Sequence, residues 1–321
     1  MNIDLSAEAT DYGNAARDAF KAAGGDQLIQ SAEIEPSRRH EVLAPVFAEL
    51  GAWDLDPRNS ADELEAAAAL CRSAGHWTVP YPVAERLARP VDLEADGLLV
   101  VAEHDPAGPV ADLDLRWAAA TLDGRRSIAA AHPSSEPPRT SGFVTRLDLE
   151  PVDHEGAGDI ALGLVLPVWT LLGMLDRAME LTREHVLLRE QFGRPLAKLQ
   201  GVQFQLTDAE VERVGVEVLA KHALWSLQTG DPGALVDALA LRLAAIEAAA
   251  VVFRIAHQLH GASGFCDETT LSWTSRYSLA LRRLPLGLSA TATALTDLTG
   301  RRGLPGIDDI GPGAIDAEVT S

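Results

Sequence analysis

The chain has 321 residues, 47% hydrophobic and 23% charged, enough to bury a core without a disulfide or metal staple. Lys+Arg 27 against Asp+Glu 47 leaves a formal net charge of −20, and no basic stripe interleaved with aromatics offsets it, which argues against nucleic-acid partners. Cys71 and Cys266 are too few for a disulfide framework or a zinc cluster. The opening Met1–Leu5 lacks signal-peptide character, and no uninterrupted apolar run reaches the roughly 18 residues of a membrane span. These features predict a cytoplasmic chain without a membrane partner.

Residues 1–90 read as short helices punctuated by Pro57, Pro80, Pro82 and Pro90. Ser60, with Glu63 three residues on, has the capping-box pattern before an alanine run that reaches Cys71. A second helix is expected over Val83–Leu87. From 91 to 158 the pattern turns to strands: Leu98–Val101, the alternating Leu113–Trp117, and Gly142–Leu147. Turns at Asp105–Gly108, Asp123-Gly124 and Pro133–Pro138 separate them. Apolar residues at helical spacing then predict four long helices, over about 159–192, 198–228, 234–259 and 268–298, joined as an antiparallel bundle. The expected fold is mainly α with a small β module. Its units are an N-terminal helical domain (1–90), a shortened β domain (91–158), a helical bundle (159–300) and a disordered tail (301–321).

Common catalytic signatures are missing. No histidine has a glutamate three residues before it, as a bundle di-iron site needs, and no Gly-x-Gly-x-x-Gly, P-loop or Gly-x-Ser-x-Gly occurs. His257 and His260 are expected to pack or hydrogen-bond rather than ligate metal, so no metal site is assigned.

Two segments are specific: Arg189-Glu190-Gln191-Phe192-Gly193-Arg194-Pro195-Leu196, and Gln258-Leu259-His260-Gly261-Ala262-Ser263-Gly264-Phe265. Together they resemble the acyl-CoA dehydrogenase family, whose C-terminal bundle carries an Arg-x-Gln-Phe-Gly-x-Pro turn and a Gln-x-x-Gly-x-x-Gly-Phe loop. The likeness is fullest over residues 160–290, partial over 45–90 and faintest over 91–158. It implies an acyl-CoA dehydrogenase-like fold and an FAD cofactor at a subunit interface. Arg189 would then hold the FAD pyrophosphate, where a planar bidentate donor suits a diphosphate. Gln200 matches a flavin-contacting glutamine, and Gln258, Gly261 and Ala262 match the loop beside the ADP half. The implied activity is α,β-desaturation of an acyl-CoA thioester, with electron-transfer flavoprotein or a similar acceptor.

The resemblance also exposes a gap. The family's catalytic glutamate, counted without gaps from Gln258, falls on Pro285; its alternative position, counted from Arg189, falls on Gly163. Asp159 and Glu155 are the nearby carboxylates, with Asp159 the candidate for a displaced base. The β segment is also much shorter than the family's middle domain, and Ala102–Gly108 only echoes its flavin-lining segment. A missing base and a reduced middle domain resemble the short partner in α2β2 acyl-CoA dehydrogenases of bacterial steroid catabolism, paired with a full-length paralogue. That implies bulky cyclic or steroid-derived CoA esters as substrates. Two other readings stay open: a self-sufficient homo-oligomeric enzyme and a scaffold without cofactor.

Overall fold

Five helices form the N-terminal part: α1 (Ala7–Ala22), α2 (Gln27–Ile34), α3 (Arg38–Glu49), α4 (Ala61–His76) and α5 (Val83–Leu87). They belong to a computed structural model that describes residues 3–132 and 143–302. The Pro133–Pro138 turn, Gly142 and the tail from residue 303 lie outside the described residues. Ser60 caps α4, its Oγ accepting the Glu63 N–H at 3.2 Å. The Glu63 carboxylate instead turns to the Asp56 N–H at 2.7 Å. The helix runs past Cys71 to His76, with Ser73, Ala74 and Gly75 buried in its last turns.

Five strands form one sheet in the order β1-β3-β4-β5-β2: β1 (Gly97–Val101), β2 (Ala107–Gly108), β3 (Trp117–Thr121), β4 (Arg125–Ala131) and β5 (Thr145–Glu155). β1 and β3 pair in parallel; the other pairings are antiparallel. Leu98, Val100, Ala118 and Ala120 face the main core, while Leu99, Val101, Trp117 and Ala119 face a smaller one. β1 and β3 are therefore buried on both faces, with period-two alternation between two cores. The predicted strand at Leu113–Trp117 is displaced, since pairing begins only at Trp117. Leu113 and Leu115 instead pack as partly buried flanks of the cores. β4 escaped prediction because its alanines carry little strand propensity.

The C-terminal part comprises α6 (Ala157–Leu188), a small hairpin of β6 (Glu190–Gln191) and β7 (Arg194–Pro195), then α7 (Gln200–Gln228), α8 (Ala234–His260), α9 (Thr270–Arg283) and α10 (Leu288–Arg302). Two expectations need correction. The first long helix stops at Leu188, and the remaining residues to 192 enter a hairpin turned at Phe192 and Gly193. The fourth predicted helix is two helices, because Pro285 cannot donate the backbone bond that would continue α9. α6 is long and apolar enough to cross a membrane by length and composition, although no single apolar run suggested it; 78% of its apolar window is buried inside the protein. It is a core helix, with α4 on one side and α8 on another.

The crossing of α4 and α6 is glycine-dependent. A Cβ on Gly75 would lie 1.9 Å from the Thr170 carbonyl oxygen, and one on Gly173 would lie 1.9 Å from that of Arg72. Each helix thus presses its backbone into a notch in the other. A second tie is ionic: Asp159, in the first turn of α6 and 6% exposed, accepts from Arg58 Nη2 at 2.7 Å and from Arg126 Nη2 of β4. This cluster joins the N-terminal helices, the sheet and the bundle at one carboxylate.

Gly173→Ala is expected to destabilise the protein by about 2–3 kcal/mol in urea unfolding, because the backbones must part to admit the methyl. Asp159→Asn is expected to lower stability by about 1.5–3 kcal/mol, since Arg126 keeps Asp92 but loses its buried charged acceptor. A stability loss below about 1 kcal/mol would show that the cluster is not a structural tie.

Candidate functional site

The hairpin after α6 turns through Phe192 (φ 54°) and Gly193 (φ 75°), and Phe192 stands 86% exposed. Two successive left-handed residues are what a two-residue hairpin loop of matching twist requires. The turn places Arg189 at the C-terminal end of α6, opposite the end of α8. There α8 stops at Gly261 (φ 63°), whose Cβ position meets nothing within 4 Å. Between the two helix ends lies an open cleft of about 530 Å³ lined by Arg189, Gln258, Gly261 and Ala262, among others. Four of the five residues singled out from sequence thus converge. Gln200 opens α7 and is exposed but does not line the cleft, although nearby Val202 does.

The donor set suits a diphosphate. Among the described residues no carboxylate lies within 4 Å of the exposed Arg189 guanidinium, so the surface ion pair that would otherwise explain it is absent. The glycine turn leaves space for a ligand to approach the chain closely. Both the volume and the chemistry fit part of an FAD molecule. The cleft opens outward to solvent.

His185 and His260 also line this cleft; His185 escaped the sequence reading, and His260 was expected only to pack or hydrogen-bond. Their rings stack at 4.3 Å between centroids. Burial lowers the pKa of each, and the Arg189 charge lowers that of His185 further. Both histidines are therefore neutral at neutral pH, leaving Arg189 as the cleft's cation. Placing His185 one helical turn before Arg189 was the available signal. His257 bonds through Nε2 to Ser275 Oγ at 2.9 Å, and His260 Nδ1 to the Ala256 carbonyl at 2.9 Å, the packing roles expected of them. No group of three metal-ligating side chains occurs among the described residues.

Gly163 and Pro285, the two positions where the resemblance places a family base, line a single cavity elsewhere. It lies where α5, β1, α6, α8 and α9 meet, and its volume is about 90 Å³. That is below the roughly 300–1,000 Å³ typical of sites for organic ligands. Asp159 does not line it; its carboxylate is held by the two arginines. Glu155 ends β5, exposed. One carboxyl that sequence reasoning missed does line the cavity: Glu85 of α5, which has no ion pair among the described residues. Burial pushes its pKa up to about 7.

A raised carboxyl pKa favours the folded state only while the group keeps its proton. The folded protein binds that proton between the ordinary carboxylate range and about pH 7, and the unfolded chain does not. Stability is therefore lost as pH rises through this interval. Glu85→Gln removes the penalty, so the variant should gain stability over the parent from pH 5 to 7 and keep that gain at pH 8. Parallel denaturation curves across this range would refute the assignment.

Comparison with known proteins places these observations. Residues 165–285 match the family model described as acyl-CoA dehydrogenase, C-terminal domain. Among curated relatives, the cyclohex-1-ene-1-carbonyl-CoA dehydrogenase of Syntrophus aciditrophicus (strain SB) is 37% identical over 97 residues, 30% of this chain and 22% of the relative. The matches to this and other curated relatives span less than a third of those proteins' length. Two solved structures cover nearly the whole chain. A variant of the Tcur3481-Tcur3483 steroid ACAD matches at TM-score 0.74 and 19% identity, over 92% of this chain and 98% of that one. The ChsE4-ChsE5 complex from Mycobacterium tuberculosis matches at TM-score 0.73 and 16% identity, over 95% and 100%. Residues 165–285 are therefore similar to an acyl-CoA dehydrogenase C-terminal domain, and the chain has the acyl-CoA dehydrogenase fold.

Proposed function

We propose that this chain is the reduced subunit of a heteromeric, FAD-dependent acyl-CoA dehydrogenase that desaturates bulky cyclic or steroid-derived CoA esters. In this reading 1–90, 91–158 and 159–300 are the three units of the family architecture, with the middle one shortened. The observation that carries it is the separation of two sites. The cofactor-facing residues Arg189, Gln258, Gly261 and Ala262 share an open surface cleft. The base positions Gly163 and Pro285, by contrast, lie on a cavity too small for an acyl chain and supply no carboxylate. A full-length paralogue, in an α2β2 assembly, would supply the glutamate and the thioester pocket.

Exposed apolar side chains support a partner at this end of the bundle. Leu188 (82%) and Phe192 stand beside the cleft, with Phe265 (69%) on the adjoining loop. A cluster of this kind marks an interaction surface. The steroid substrate class rests on the name of one structural neighbour, and the cyclic class also on that of a curated relative.

Bound FAD supplies the hydride acceptor. This chain's residues bind and orient: the Arg189 guanidinium offsets pyrophosphate charge, the Gln258 and Gln200 amides offer hydrogen bonds, and Gly261 with Ala262 admits the ligand close to the backbone. Electrons would leave to electron-transfer flavoprotein or a similar acceptor.

Purified alone, the chain should be colourless, and it should acquire stoichiometric visible flavin absorption on co-expression with the paralogue. Arg189→Ala should weaken flavin retention by the complex at least about tenfold, the cost of losing a charge-assisted contact. Stoichiometric flavin in that variant would overturn the cofactor assignment. Flavin bound by the chain alone would favour a self-sufficient enzyme, and none in any complex would favour a scaffold.

A further inference from the structure

The cavity that lacks a family base has an unusual charge balance. Arg242 of α8 is 2% exposed and Arg39 of α3 is 3% exposed, and both line it. Neither has a carboxylate within 4 Å among the described residues. Arg242 donates to the Leu281 and Leu286 carbonyls at 3.1 and 2.7 Å, and Arg39 donates to the Ala111 carbonyl while its guanidinium lies 4.1 Å from the Phe143 ring centroid. Those contacts hold the side chains in place but carry no negative charge, and Asp112 acts on Arg39 only from beyond ion-pair distance. Among the described residues, the Nε of Arg242 and the Nε and Nη1 of Arg39 have no hydrogen-bond partner.

Buried guanidiniums cannot shed their charge as a buried carboxyl can, so they need a counter-ion. Burial lowers the pKa of both arginines to about 10, which still leaves each protonated at neutral pH. Glu85 is the carboxyl on the cavity wall, yet it pairs with neither and is partly protonated near neutrality. The rest of the lining is chiefly apolar, with Leu99, Val100, Leu164 and Leu281 among it. A site with cationic donors, an apolar wall and space for a few heavy atoms suits an anion with a small apolar end.

We propose that this cavity binds a compact carboxylate of acetate size, its oxygens facing the Arg39 and Arg242 guanidiniums and its methyl the apolar wall. The site is separate from the flavin cleft, and the proposal does not depend on the shared-cofactor reading. It gives the cavity a use once the catalytic positions on its wall have become Gly163 and Pro285.

The test is thermal unfolding and titration calorimetry of the full chain with sodium acetate, against sodium chloride at matched ionic strength. Acetate should raise Tm saturably by several degrees and give a one-to-one isotherm, where chloride does neither. Arg242→Met should weaken acetate binding at least tenfold. Should that variant fail to fold, Ala280→Leu, which fills the cavity from α9 and leaves both arginines in place, should abolish the acetate response. Equal effects of acetate and chloride, or an undiminished acetate response in Ala280→Leu, would overturn the proposal whatever flavin measurements show.

Discussion

Contact between the backbones of α4 and α6 sets the positions of everything else. Helices usually pack side chain against side chain at interaxial distances of 8–10 Å. Here Gly75 and Gly173 let each chain meet the other's carbonyls, Thr170 and Arg72. Such proximity leaves little freedom to slide or rotate. Because Thr170 also lines the internal cavity, the crossing that fixes the two layers also fixes one of its walls. Shape is thus held by the absence of side chains as much as by their presence.

The ionic tie at Asp159 works alongside this contact. Carboxylate and guanidiniums come from three separate regions, so the pairing rewards only the complete arrangement. A parallel network farther along α6 joins Arg72 of α4 to Asp176 of α6 and Glu217 of α7, with Arg213 bridging the two acids. Burial works against the Glu217 charge, but Arg72, Arg213 and Lys221 outweigh it and hold that carboxyl down at about 2. Several arginines thus join separate elements of the fold, whereas Arg189 at the surface and Arg39 and Arg242 inside are among those with no carboxylate within 4 Å among the described residues.

Legibility in the sequence followed the range of the interaction that decided each feature. The Ser60 cap and the Val83–Leu87 helix were readable because their causes lie within a few residues. The division of the last helix was also written locally, in Pro285 and Gly287, but the apolar periodicity on either side concealed it. Leu113–Trp117 misled because alternation says that a segment is half-buried, not which neighbour it pairs with. The cleft was partly legible through its two motifs. The stacking of His185 on His260 was not, since it joins the ends of two helices far apart in the chain. Glu85, Arg39 and Arg242 had no local signal whatever: a lone charge in a helix reads as surface until other layers close over it.

The apolarity of α6 has a consequence for how the chain emerges during synthesis. When the ribosome has finished this helix, α4 is already available to cover one side. The other main cover, α8, arrives only after the hairpin and all of α7 have been made. For that interval a helix apolar enough to suit a bilayer is half-exposed on a nascent chain, the condition under which chaperones are recruited and misassembly begins. The α4–α6 glycine contact precedes α8 in that order, so the tightest packing in the protein can also be the earliest shelter for its most apolar segment.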